Sequence, residues 1–405
     1  MAMTDQTPLT PHPLDGVHVL DMADRSCVYA TKMLADMGAD VVRIEPPGGD
    51  PIRHVPPLDQ ETGESLFHAY MNTNKRSVVL DLDTAQGQAA FRRLAAAADI
   101  VVESCPPGYL AERGIGHAAL RGHGKPEQIW TTITPFGSEG PRADWLADDL
   151  IIQAMGGLLT LTGIPEREPL RLFGEQSCYI TGLHAAAGTL IAYWHAVRTG
   201  QGQHVDESAQ ECITHTLESA IQVYTTEGVV RSRQPGRVEA GVGMFPCVDG
   251  EIFVYANARM IASSWHNMVK WLKEEKIEGA EQLEDPKWVD LTYRRSDEAR
   301  RIAGEVITRL TETRSKYQLY DQLQQRHILC APMSKIGDLF NNPQLKFLNW
   351  FVDQPIGERT ATWPGPPFHM SETPRRPPGR VAGIGQDTEA VLHGFEPTIT
   401  REAAE

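Results

Sequence analysis

The chain has 405 residues, 41% of them hydrophobic and 22% charged, with a formal net charge of −15 at pH 7. Such a length supports two domains whose core needs no disulfide or metal staple. The acidic balance excludes nucleic acid as a general partner, because phosphate backbones attract a surplus of Lys and Arg. No apolar stretch approaches the roughly 20 residues of a membrane span, and the N-terminal MAMTDQTPLTPHP has neither the basic start nor the apolar core of a secretory signal. The six cysteines (27, 105, 178, 212, 247 and 330) stand apart, with no CxxC pair or zinc-ligand spacing. These features point to a cytoplasmic protein with reduced thiols, no membrane contact and no metal.

Along the chain, "GVHVLDMA" (16–23) is an apolar β-branched run, "YATKMLADMGA" (29–39) has helical spacing ending at glycine, and "DVVRIEPP" (40–47) is a strand stopped by prolines. Strand, helix and strand in about 30 residues make a βαβ unit. The pattern repeats in "SVVLDL" (77–82), "TAQGQAAFRRLAAAA" (84–98) and "DIVVES" (99–104), and "QIWTTIT" (128–134) adds a strand. The fold class expected is α/β, with a mostly parallel, Rossmann-like sheet covered by helices on both faces. A long small-residue helix over 178–198 leads into "GQHVDES" and a second helix over 208–228.

After "QPGRVEAGVG" (234–243) the texture changes to a hairpin, "MFPCVDGEIFVYA" (244–256), and then to helices rich in Lys and Glu: "SSWHNMVKWLKEE", "SDEARRIAGEVITRL" and "KYQLYDQLQQR". We therefore expect a large domain over 1–229, a smaller α+β domain over 230–330, and a proline-rich segment over 331–405 that returns to the large domain. No internal repeat is present.

The ordered strings "LDGVHVLDMA", "LADMGADVVRIEPPGGDPIR", "NTNKRSVVLDL", "ADIVVESCPPGYLAERGIG", "ITPFGSEGP", "TGLHAAAGTLIAYWHAVRTGQGQHVDES", "CAPMSKIGDLFNNPQL" and "GQDTEAVL" resemble the class III coenzyme A transferases. That group includes formyl-CoA and carnitine-CoA transferases and α-methylacyl-CoA racemase, and the likeness covers nearly the whole chain in order. It implies an interlocked dimer of Rossmann-like subunits that moves CoA between carboxylic acids. The partners implied are an acyl-CoA, a carboxylic acid and a second subunit, identical or related; CoA is substrate, and no permanently bound cofactor is expected.

CoA carries diphosphate and 3′-phosphate charge, so its site calls for Arg, Lys and backbone N–H groups at strand ends. Arg43, Arg53, Lys75 and Arg76 sit at such ends, against the commoner reading of each as a solvated surface charge. By resemblance, Arg25, Ser26, Asn74, Lys75, Arg76, Ser104 and Cys105 occupy CoA-lining segments. "SCPPG" (104–108) departs from the asparagine-aromatic pairing usual there.

In these transferases an aspartate four residues before the glycine of a Thr-Gly pair attacks the thioester, and a carboxylate is needed because only an acyl anhydride passes CoA to another acid. Counting back four from Gly182 gives Cys178, so the expected aspartate is absent. Glu175 lies three residues upstream and is the nearest carboxylate; it is either the nucleophile or an acid stabilising a helix N-terminus. Cys178 is either a thiol activated by that helix end, supporting hydrolysis or acyl exchange, or a small buried residue. A third reading is a CoA-ester-binding partner subunit without its own activity. The racemase reading is weaker, because Asp148-Asp149 stands where the racemases have a His-Asp pair, and Asp148 also reads as an N-cap before "LIIQAMGG". The segment "GRVEAGVGMFP" (236–246) is either a glycine-hinged lid or an interdomain linker.

Overall fold

Six strands, β1 (His18–Met22), β2 (Asp40–Glu45), β3 (Lys75–Val79), β4 (Ile100–Glu103), β5 (Ile129–Thr134) and β6 (Gln203–Ser208), pair in parallel in the order β3-β2-β1-β4-β5-β6. They belong to a computed structural model that describes residues 11–233, 239–257 and 263–394. Alternation along the strands serves two cores. Val19, Val41, Ile100, Val102 and Ile129 enter one, while Leu20, Val42, Val101 and Trp130 enter the other, as a sheet covered on both faces requires. Strand order reverses on either side of β1, so the carboxyl ends of β1 and β4 open a crevice there, where α/β sheets bind ligands.

On the first face lie α1 (Tyr29–Asp36) and the long α4 (Gln176–Thr199); α2 (Ala85–Ala97) covers the second. The short α3 (Asp149–Met155) precedes α4. The single helix expected over 208–228 is two, α5 (Ala209–His215) and α6 (Ala220–Glu227), because Glu218 between them takes a left-handed φ of 54° that ends regular helix. Small residues let α1 and α4 approach closely. A Cβ on Gly182 would stand 2.8 Å from the amide nitrogen of Ala30 and 2.8 Å from Cβ of Tyr29, so the Thr-Gly pair read from the sequence serves a helix crossing.

Contacts divide the chain into two units, Met1–Thr160 with Arg171–Arg231 and Leu348–Glu405, and Leu161–Leu170 with Ser232–Phe347. The second unit has an antiparallel sheet of β7 (Val242–Cys247), β8 (Gly250–Tyr255) and β9 (Leu329–Pro332), in that order, with α7 (Ser264–Glu274), α8 (Asp297–Thr311) and α9 (Lys316–Gln325). Phe245, Ile252, Val254, Trp271 and Leu310 are in its core. Of the segment weighed as a lid, 242–246 lie in β7, paired with β8, and 236–238 fall outside the described residues. The second unit extends past residue 330: β9 pairs with β8, and Lys316 binds Asp338. From Leu348 the chain is in the first unit, where it forms the hairpin β10 (Val352–Ile356) and β11 (Arg359–Trp363) and the helix α10 (Thr388–Gly394). Asp387 there accepts from the Ser77 amide at 2.8 Å, and Gln354 donates to the Ala69 carbonyl at 2.8 Å.

A buried charge ladder crosses the first three strands. Asp21 of β1, with no solvent exposure, accepts from Arg43 of β2 at 3.0 Å, from Lys75 of β3 at 2.9 Å and from the Ala23 amide at 2.9 Å. Burial alone would raise its pKa, but Lys75 and Arg43 overcome that and hold the carboxyl below the ordinary range. Burial pulls Lys75 down to about 8 against the attraction of Asp21, which leaves the ammonium charged at neutral pH.

Asp21→Asn strands two buried cations and should cost about 3–5 kcal/mol in denaturant unfolding. A depressed folded pKa means that the Asp21 contribution is complete above the unfolded value of ~4 and is lost as pH falls through the folded value. Wild-type stability should therefore drop on acidification below about pH 4, with a shallower drop in the variant; equal slopes would remove Asp21 as the cause. Gly182→Ala, which forces α1 and α4 apart, should cost about 1–3 kcal/mol in the same measurement, and an unchanged midpoint would show that the crossing is loose.

Candidate active site

Two cavities open on the first unit near the crevice. The larger, about 560 Å³, lies past the carboxyl ends of β1, β2, β3 and β4 and is lined by residues including Arg25, Arg43, Pro46, Leu82, Ser104 and Tyr109. The smaller, about 320 Å³, is lined by Arg25, Ser26, Asp149, Arg171, Glu175 and Thr181 among others. Asp24 and Arg25 belong to both linings, so the cavities adjoin.

Glu175 immediately precedes α4, but its side chain makes no capping bond to that helix. Its carboxylate instead receives Nη2 of Arg25 at 2.5 Å and stands 3.6 Å from Nη2 of Arg171. With 22% of its side chain exposed, Glu175 is a reachable carboxylate on the smaller cavity. The helix end is served by Asp149, which accepts from the Ser177 amide at 2.9 Å and the Ser177 hydroxyl at 2.6 Å. Gln153 and Nε of Arg171 complete the Asp149 shell at 2.7 and 3.0 Å. The role of helix-end acid weighed for Glu175 thus falls to Asp149, and Asp148 caps α3 through the Ile151 amide at 3.0 Å.

Cys178 is placed differently from the thiol nucleophile considered above. It is 1% exposed, sits in the core shared with α1, and lines neither cavity. Burial, reinforced by the negative charges of Asp24, Glu175 and Asp149, pushes the thiol up to about 12. That outweighs any help from the helix end and leaves no thiolate at neutral pH.

The strand-end cations expected to meet phosphate are mostly used inside the fold. Lys75 directs its three protons to Asp21, Thr31 (2.8 Å) and Asn72 (3.1 Å). Arg43 reaches the larger cavity but is bound to Asp21, Asp50 and the Ala23 carbonyl. Arg53 clamps Glu45 with two bonds of 2.6 Å, and Arg76 pairs with Asp40. Asn74 takes a left-handed φ of 63°, donates to Asp36 at 3.2 Å and accepts from the Gly379 amide at 3.2 Å. Arg53, Asn74, Lys75 and Arg76 line neither cavity. Ser104 accepts from the Asp24 amide at 2.7 Å, and burial beside Glu103 raises the Cys105 thiol. Ser26 donates to Asp24 at 2.5 Å. Of the residues expected to line CoA, Arg25 is the cation that remains half exposed at both cavities.

Arg171 and Thr181 on this lining were given no role in the sequence reading, and Asp149 entered it only as half of the Asp148-Asp149 pair. The spacing of Arg171 and Glu175, four apart in "RLFGE", was the available signal. Thr181 gave none, since its pairing with Gly182 read as a motif element.

Residues 14–388 match the family model described as CoA-transferase family III. The chain is 35% identical over 379 residues, 92% of each sequence, to the succinyl-CoA:(R)-benzylsuccinate CoA-transferase subunit BbsE of Thauera aromatica. It is 31% identical, over 99% of this chain and 100% of the relative, to a succinate–glutarate CoA-transferase of Agrobacterium fabrum. A crystal structure of a CaiB/BaiF family protein from Brucella suis superposes with a TM-score of 0.81 at 25% identity, covering 95% of this chain and all of that one. The chain belongs to CoA-transferase family III, enzymes that move coenzyme A between carboxylic acids.

Proposed function

We propose that this chain binds a CoA ester with its nucleotide in the larger cavity and its acyl group in the smaller, and that Glu175 is the carboxylate that carries CoA between acids. The observation supporting this most is the position of Glu175, a partly exposed carboxylate on a cavity that adjoins a second one at the sheet crevice. The two relatives described above are named for succinyl-CoA and for succinate, which favours a succinyl or similar short dicarboxylic acyl group here.

In the proposed cycle Glu175 attacks the thioester carbonyl, giving a mixed anhydride and CoA thiolate. The thiolate attacks the glutamyl carbonyl, forming an enzyme–CoA thioester and releasing the first acid. The acceptor carboxylate then attacks that thioester to give a second anhydride and thiolate again. Attack of the thiolate on the acceptor's acyl carbon yields the new acyl-CoA and restores Glu175. The guanidinium of Arg25 and the N-terminus of α4 offset the negative charge that develops at each step.

Assembly as an interlocked dimer, with an identical or a related chain, belongs to the same reading. Leu183, Ile191, Trp194 and Val197 expose an apolar stripe along α4, with Trp194 63% exposed, the kind of face a partner covers. That BbsE is named as a subunit also favours a second reading, in which this chain pairs with a different chain that supplies the nucleophile.

Glu175→Gln should lower kcat for CoA transfer by roughly three orders of magnitude or more, as loss of a covalent nucleophile does, while CoA affinity stays unchanged. Cys178→Ala should keep most of the activity, and iodoacetamide at pH 8 should leave Cys178 of the folded protein unmodified, because its buried thiol ionises near 12. A chain inactive alone, active with a second family III chain and indifferent to Glu175→Gln would establish the partner-subunit reading instead.

A further inference from the structure

We infer that Arg171, together with Arg25 and the hydroxyl of Thr181, forms a specificity site for the second carboxylate of a dicarboxylic acyl group, and that Glu175 occupies this site until substrate displaces it. The inference rests on the placement of the acyl group in the smaller cavity proposed above, and it assigns to named residues what selects that group. Both arginines are about half exposed and both face the Glu175 carboxylate.

Arg171 is aimed by the protein. Its Nε donates to the buried Asp149 at 3.0 Å and its Nη2 to the Gly174 carbonyl at 3.2 Å, which fixes the plane of the guanidinium. Its Nη1 has no bonded partner among the described residues, and neither Nε nor Nη1 of Arg25 has one. The acids nearby are already held: Asp149 by four donors, Asp148 by the Ile151 amide, and Asp24 by the amide and hydroxyl of Ser26. Arginine's planar fork suits a carboxylate.

A second, independent feature lies on the same lining. Thr181 is 1% exposed, and its hydroxyl has no hydrogen-bond partner among the described residues. A buried hydroxyl without a partner is costly, about 1–3 kcal/mol, and points to a ligand atom that completes it.

Exchange of one carboxylate for another gives the site its selectivity. A dicarboxylic acyl group brings an anion that replaces Glu175 between the arginines, so the guanidinium groups stay paired and Glu175 is released to attack. A monocarboxylic acyl group brings no such anion and leaves Glu175 in its ion pair. Arg171 therefore selects the substrate and also couples its arrival to the freeing of the nucleophile.

The test is calorimetry on the full-length protein with two unreactive thioethers, S-(3-carboxypropyl)-CoA and S-butyl-CoA, which differ in the terminal carboxylate. The wild type should bind the carboxylated compound roughly 10-fold more tightly, the surplus of its pairing with the arginines and Thr181 over the Glu175 pair that it displaces. Arg171→Gln should bring the ratio near one while the affinity for S-butyl-CoA is kept. Arg25→Gln, at a half-exposed position where folding is not at stake, should lower the ratio as well. A wild-type ratio near one with CoA bound overturns the assignment and leaves the CoA site standing, as does a ratio that survives both substitutions. Absence of any CoA binding overturns the placement of the cavities and this inference with it.

Discussion

Asp21, a carboxylate without solvent access, ties β1 to Arg43 of β2 and Lys75 of β3, and the character of the nearby crevice follows from that tie. Two buried cations around one buried anion are tolerable only with near-complete hydrogen bonding. The fold supplies it: Lys75 also reaches Thr31 and Asn72, and Arg43 also reaches Asp50 and the Ala23 carbonyl. The positive charge of Arg43 in β2 and Lys75 at the start of β3 is thereby committed to holding strands together. For an anionic ligand the cavities offer Arg25, on the loop that follows β1 where the two meet, and Arg171 on the smaller one.

The crossing of α1 and α4 governs the second half of the site. Gly182 brings the helices to backbone contact, and the same packing draws Cys178, one turn earlier, into the core. Residue 175, ahead of the first turn, stays outside that packing and faces the cavity. Asp149 binds the first turn of α4 from α3 and leaves Glu175 free to meet Arg25 and Arg171. Burial thus separates two neighbouring nucleophile candidates, one enclosed in the core and one reachable from the cavity.

Much of the scaffold was legible because its cause is local. Continuous apolar runs in "HVLDM" and "IVVE", the pattern of strands buried on both faces, and small-residue spacing in α4 carry the parallel sheet and its main helix directly. The break at Glu218 was hidden, since helical spacing continues across it and no glycine or proline marks the left-handed φ. The candidate site was legible in part. Glu175 and Arg25 were reached through spacing and resemblance, whereas Lys75, Arg43 and Arg76 looked like phosphate ligands because their carboxylate partners on adjacent strands, Asp21 and Asp40, become neighbours only through sheet register. Arg171 was signalled only by its four-residue spacing from Glu175, and Thr181 acquires meaning from a cavity that no linear pattern describes.

The most direct measurement is mass spectrometry of the chain after incubation with acyl-CoA and reduction with borohydride, which converts a glutamyl thioester to an alcohol. Reduction at residue 175, dependent on acyl-CoA, is the result expected if Glu175 carries CoA. An acyl group on the sulfur of Cys178, or an unmodified residue 175 in a preparation that transfers CoA, would contradict it.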